Sequence, residues 1–129
     1  MTPSPGEPKS PAPRMTILRL GVGPRMSSAV VHGDTVYLAG HVSKDPAGSV
    51  RGQTEAILRR IDARLAEAGT DKSRLLSANV WLADMARFGE MNAAWDAWVD
   101  PANPPARATV QARLASPDYL VEIAVIAAR

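Results

Sequence analysis

The sequence predicts an α+β domain: a single mixed sheet of six strands with two helices packed on one face, in the order β-β-β-α-β-α-β-β. Three observations carry that prediction. Two segments of helical period, 53–69 and 85–99, are separated by a strand-like apolar run. Short β-rich runs precede the first helix and two more follow the second. The final run, "YLVEIAVIAA", alternates Val121, Ile123 and Val125 with Glu122, Ala124 and Ile126, so one wholly apolar face is available to the helices.

Each element has a local cause. Residues 1–14, "MTPSPGEPKSPAPR", hold five of the eleven prolines and almost nothing apolar; they predict a disordered tail, with the domain over 15–129. "ILRLG" reads as a short strand. "SSAVVHGDTVYLAGHVS" is two β-rich runs about His32-Gly33-Asp34, a hairpin signal, and His41 ends the second run. "KDPAGSVRG" is a loop. In "QTEAILRRIDARLAEAG", Ile57, Ile61 and Leu65 repeat at four-residue spacing beside Leu58 and Ala68, while Glu55, Arg59, Asp62 and Glu67 take the other side, and Gly69 stops the helix. "RLLSANVWLADM" is a strand buried on at least one face. "MARFGEMNAAWDAWV" spaces Phe88, Met91, Trp95 and Trp98 as a second amphipathic helix, with Asp84 as N-cap and "DPANPPA" as its end. "RATVQARL" and "YLVEIAVIAA", joined by "ASPD", close the sheet.

Composition narrows the function. The chain has 129 residues, 46% of them hydrophobic, enough for one domain with a core. The apolar runs are too short for a membrane span, and no secretory leader is legible, so a cytoplasmic location is expected. With no cysteine there is no disulfide, thiolate nucleophile or Cys-ligated zinc. A pI of about 9.4 suggests nucleic acid, but the excess is local. Lys9, Arg14, Arg19 and Arg25 against Glu7 give residues 1–25 a surplus of three positive charges, against +2 for the whole chain, so the remainder is at −1. Aromatics at 5% are too few for a base-stacking platform, and nucleic acid is not the expected partner.

Glu122 poses the chemical question, because an ionised carboxylate in an apolar strand is costly unless paired, solvated or protonated. The second face of its strand is itself largely apolar, which marks an association surface and predicts an oligomer. Arg107, after "NPPA", has the fork that grips a carboxylate. Two arrangements are open. In a tight hairpin of the last two strands Arg113 faces Glu122 as a structural ion pair, and Arg107 lies six positions away, about 20 Å. A shared Arg107–Glu122 site needs another strand between them, or a second subunit. The other candidates read as structural: His32 in a turn, His41 packed or hydrogen-bonded, "GVGPRMSS" a plain turn, Asn92 a hydrogen-bonder, and Trp81, Trp95 and Trp98 in core or interface. Two isolated histidines predict no metal site.

"VYLAGHVS", "GQTEAILRRIDARLAEAG", "NVWLADMARFGEMNAAW", "PPARATV" and "VEIAVIAA", taken in this order over residues 20–128, resemble the Rid/YjgF family of enamine/imine deaminases. The resemblance implies a chorismate-mutase-like fold and a homotrimer with sites in clefts between subunits. It implies hydrolysis of 2-imino acids or their enamine tautomers to 2-keto acids and ammonia, as in deaminases of the 2-iminobutanoate/2-iminopropanoate type, with no metal or organic cofactor. Arg107 matches the family's carboxylate-binding arginine, Glu122 the acid that positions or activates water, and Gly40 a glycine whose backbone faces the ligand. Ala39 stands where a hydroxyl is common, His41 where Gln is frequent, Arg25 at an often aromatic position, Thr109 where a small polar residue or Cys is common, and Ala124 where a second acid is often found. Arg25 is either a second anchor for a more acidic substrate or a solvent-facing side chain. The alternative function is a non-catalytic trimer that binds small carboxylates, as a metabolite sensor or chaperone-like protein.

Overall fold

The computed structural model describes residues 16–129; the tail assigned to 1–14 lies outside them. The chain runs β1 (Ile17–Leu20), β2 (Ala29–His32), β3 (Thr35–Leu38), β4 (His41–Val42), α1 (Val50–Glu67), β5 (Leu75–Leu82), α2 (Phe88–Trp98), β6 (Ala106–Gln111) and β7 (Val121–Ala128). The expected order and the two helices are present. The sheet has seven strands rather than six, because His41 does not end the preceding strand. The chain leaves β3 at Leu38, swings out over Ala39-Gly40, and rejoins the sheet as the two-residue β4.

Strand order is β1-β2-β3-β7-β5-β6. One edge of β7 is shared by β3 and β4, both antiparallel; the other edge pairs with β5, also antiparallel. β6 pairs only with β5, in parallel, bringing Ala78 beside Arg107 and Val80 beside Thr109. The last two strands therefore form no hairpin. β5 stands between them, and Trp81 rather than Arg113 is opposite Glu122.

Alternation along β7 decides what is inside. Val121, Ile123, Val125 and Ala127 are at most 1% exposed, while the residues between them are half-buried. The inner set meets Ile57, Leu58, Ile61 and Leu65 of α1 and Met91 and Trp95 of α2 in one core. Burial of each such large side chain contributes about 1.5–3 kcal/mol. Among the described residues no layer covers the opposite face: Ile17, Tyr37 and Val110 there are 43–50% exposed.

α1 begins at Val50, three residues before the expected Gln53, because Ser49 caps it by accepting from the Gly52 N–H at 3.0 Å. It ends in a Schellman turn: Thr70 N–H reaches Leu65 O, Gly69 N–H reaches Ala66 O, and Gly69 has φ +83°, a conformation other residues rarely adopt. Asp84 caps a 3₁₀ turn, Met85–Arg87, which leads into α2. Trp98 Nε1 donates to Asp62 Oδ2 at 3.0 Å and ties the two helices together.

Gln53, fully buried in the first turn of α1, connects distant loops. Its Nε2 donates to Asp118 O at 3.0 Å and lies 3.3 Å from Pro46 O, and its Oε1 accepts from Leu120 N–H at 3.0 Å. Gln53→Leu keeps the volume but strands these backbone groups. We expect a loss of roughly 2–4 kcal/mol in urea-induced unfolding, since each buried group left unpaired costs about 1–3 kcal/mol.

Candidate active site

Arg107 and Thr109 occupy alternate positions of β6 and face the helices. The Arg107 guanidinium lies 5.2 Å from the Trp95 ring centre and 5.9 Å from that of Phe88, and 3.9 Å separates its Nη1 from Met91 Sδ. Two aromatic faces hold the cation without neutralising it. Among the described residues it forms no salt bridge; the three present join Arg51–Glu55, Arg64–Glu67 and Arg87–Glu90. Beside it are two buried oxygens without a partner among the described residues: Thr109 Oγ1, and Asn92 Oδ1 of α2, one residue from Met91. Sequence reasoning treats Asn92 as an internal hydrogen-bonder, and the structure gives its amide oxygen no donor. The legible signal was an amide four residues after Phe88 and three before Trp95, on the helix face that meets β6.

Glu122 lies on the other side of the sheet. It shares that face with Trp81 and Val110 through the register of β7, β5 and β6, and is half-buried without an ion pair among the described residues. Its carboxylate lies against Gly40, so close that a Cβ on Gly40 would collide with Oε2. This contact needs glycine: any side chain at residue 40 displaces the carboxylate. Within the chain, then, Gly40 and Glu122 come together, and Arg107, Thr109 and Asn92 come together. The two groups are on opposite faces, and the Cα atoms of Arg107 and Glu122 are roughly 14 Å apart from strand spacing and rise. Arg113 is exposed, and so is Arg25, in the turn between β1 and β2 closed by Gly23 N–H to Met26 O.

Ala39 and Gly40 line a cleft of about 350 Å³ with Met26, Ser28, His41, Val42, Arg60 and Arg64. His41 Nδ1 is 2.7 Å from Ala39 O. Partial burial holds the imidazole below its ordinary pKa, against the Ala39 hydrogen bond, and Arg64 and Arg60 push it the same way as burial. His41 is therefore neutral at pH 7, with Nδ1 as the donor. Among the described residues no cluster of His, Asp or Glu could hold a metal ion, and no helix is long and apolar enough to cross a membrane.

Comparison with known proteins matches residues 17–129 to the family model described as Endoribonuclease L-PSP. A RutC family protein of Haemophilus ducreyi is 46% identical over 112 residues, covering 87% of this chain and 96% of its own. The RutC family protein YoaB of Escherichia coli is 44% identical over 114 residues, 88% of this chain and 99% of its own.

The chain belongs to the YjgF/Rid family.

The fold agrees with those of solved members. The crystal structure of NMB1025, a YjgF family protein from Neisseria meningitidis, superposes with a TM-score of 0.87 at 42% identity, covering 90% of this chain and 97% of that one. Rv2704 of Mycobacterium tuberculosis, another member, gives 0.76 at 26% identity over 89% and 99%. The chorismate-mutase-like fold implied by the resemblance is thereby shown.

The neutral state of His41 has a pH consequence. Its folded-state pKa lies below the unfolded value, so its contribution is fully present above about pH 6.5. That contribution is lost as pH falls through the folded pKa, because the unfolded chain binds the proton more readily. The melting temperature of the wild type should drop more between pH 7.5 and 5.0 than that of His41→Gln. Calorimetry at both pH values checks this, and equal drops would exclude it.

Proposed function

We propose that this protein hydrolyses 2-imino acids and their enamine tautomers to 2-keto acids and ammonia, in homotrimers whose sites lie between protomers. The observation that carries this reading is the separation of two unpaired charges: an arginine braced by Trp95 and Phe88 on one side of the sheet, and a carboxylate against Gly40 on the other. Neither has an ion-pair partner of its own among the described residues, and a second copy supplies what each lacks. The exposed Ile17, Tyr37 and Val110 on the open sheet face support such an assembly.

In this reading Arg107 grips the substrate carboxylate through its fork, and Thr109 Oγ1 and Asn92 lie beside that grip. Glu122 of another protomer takes a proton from water as the oxygen attacks the imine carbon. The C=N bond becomes a C–N single bond in a tetrahedral carbinolamine. Glu122 returns the proton to nitrogen, completing the carbinolamine; it then carries the hydroxyl proton to the same nitrogen, the C–N bond breaks, and ammonia leaves as the carbonyl forms. Water is the only co-reactant. Ala39 offers no hydroxyl and Ala124 no second acid. These two residues favour the second reading, a trimer that binds small carboxylates without turnover. The family descriptor also names ribonuclease activity; such a role here would require RNA binding that falls steeply with salt.

The assay follows loss of a freshly generated 2-imino acid above its spontaneous rate. Arg107→Ala should lower kcat/KM roughly 100-fold, the loss of charge-assisted hydrogen bonds worth about 1.5–3 kcal/mol. Glu122→Gln should cost kcat about 10²–10⁴-fold. Mixing the two inactive variants under conditions of subunit exchange should restore part of the activity, because some clefts then hold both wild-type groups. Full activity in Arg107→Ala refutes the assigned role. Exchange without recovery places both groups in one protomer. Saturable keto-acid binding with no turnover supports the second reading.

A further inference from the structure

The cleft on the helical side of the Ala39-Gly40 backbone is walled by two cations. Arg60 and Arg64, one turn apart on α1, line it with Met26, Ser28, His41 and Val42; neither Arg107 nor Glu122 does, and no acidic side chain lines it. It is therefore separate from both groups of the proposed deaminase site. One Arg60 nitrogen donates to Val42 O at 2.6 Å, which fixes the guanidinium at the wall. Its other N–H groups have no partner among the described residues. Arg64 has one nitrogen 3.2 Å from each oxygen of Glu67, an exposed pair of the kind that contributes little and yields readily to a competing anion. The Ser28 hydroxyl is held only by a long contact, 3.4 Å to Gly21 O.

Side chains four residues apart on a helix have Cβ atoms about 5–6 Å apart, so the two forks can close on one anion. A carboxylate has two oxygens and is satisfied by one fork. A phosphate dianion has three acceptor oxygens and about twice the charge, and takes both. From this juxtaposition we propose that the cleft binds a phosphate dianion, free or as the end group of a small ester, between Arg60 and Arg64. Ser28 Oγ supplies a further donor. The volume of about 350 Å³ is at the small end of metabolite sites, and Met26 and Val42 give an ester's carbons a surface. His41 reports on occupancy. Its Nδ1 is committed to Ala39 O, so the neutral ring has an acceptor at Nε2 and the protonated ring a donor. Burial holds its pKa down, and Arg64 and Arg60 add to this; Ile123 is its neighbour in β7. A dianion between the guanidiniums offsets their share, as Glu67 does for Arg64 alone. The His41 pKa therefore rises on binding, and binding strengthens as pH falls through it.

Calorimetry on the full chain at fixed ionic strength tests this with inorganic phosphate, glycerol 3-phosphate and acetate. Both phosphates should bind roughly tenfold or more tighter than acetate, which engages one fork. Glycerol 3-phosphate binding tighter than inorganic phosphate identifies an ester as the ligand, and equal affinities identify the free ion; both uphold the site. In Arg60→Gln Arg64→Gln, shown folded by its melting transition, the phosphate affinity should fall roughly tenfold or more, while Arg107→Ala should bind phosphate as the wild type does. A second measurement needs no variant. Sulfate keeps its double charge from about pH 5.5 to 8, so saturating sulfate should raise the His41 pKa read from its ring protons by NMR. Acetate bound as tightly as phosphate overturns the proposal. So does a phosphate affinity unchanged in the double variant or lost in Arg107→Ala, or a His41 titration indifferent to sulfate.

Discussion

The insertion of β5 between β6 and β7 governs the rest of the molecule. Side chains alternate between the faces of a sheet, so each pairing register fixes which residues can meet. With Ala78 beside Arg107 and Trp81 beside Glu122, the arginine is committed to the helical side and the carboxylate to the open side. A slip of one residue in either pairing would reverse that assignment. It would also turn Val80 or Ile123 out of the core, where both are at most 1% exposed. The burial that stabilises the fold thus also sets where the charged groups point.

The two charges are kept available by different means. Arg107 lies over two rings, which stabilise a cation without competing for its hydrogen bonds. Glu122 is only half-buried and rests against a residue with no side chain. An ion pair within the chain would have satisfied both and removed both from chemistry. The β5 insertion prevents it.

Much of this was legible in the sequence, for physical reasons. Four-residue spacing of Ile57, Ile61 and Leu65 defines α1, and two-residue alternation defines β7, because burial acts on each residue individually. Strand order was not legible. Whether β6 pairs with β7 or with β5 depends on how α2 packs, and a local pattern carries no record of that. The short β4 was also hidden, since two residues have no period. Arg107 and Glu122 stood out as residue types, and the family resemblance connected them and added Gly40 and Thr109. That the oxygens of Asn92 and Thr109 lack partners was not legible, because an unpaired oxygen is a property of the surroundings rather than of the residue. Arg60 and Arg64 belong to no sequence motif; the path of the chain at Ala39-Gly40 makes them walls of a cleft.

The place of β7 in the sheet has a consequence for biosynthesis. This strand, last of all in chain order, pairs with β3, β4 and β5, and its inner residues form the middle of the core. While the ribosome has not yet delivered residues 121–128, the first three strands can associate only with one another, and α1 has no central ridge on which to settle. A nascent polypeptide of this kind must wait for residues 121–128 with its apolar helix faces uncovered. That interval is the period in which a chaperone would have most to hold.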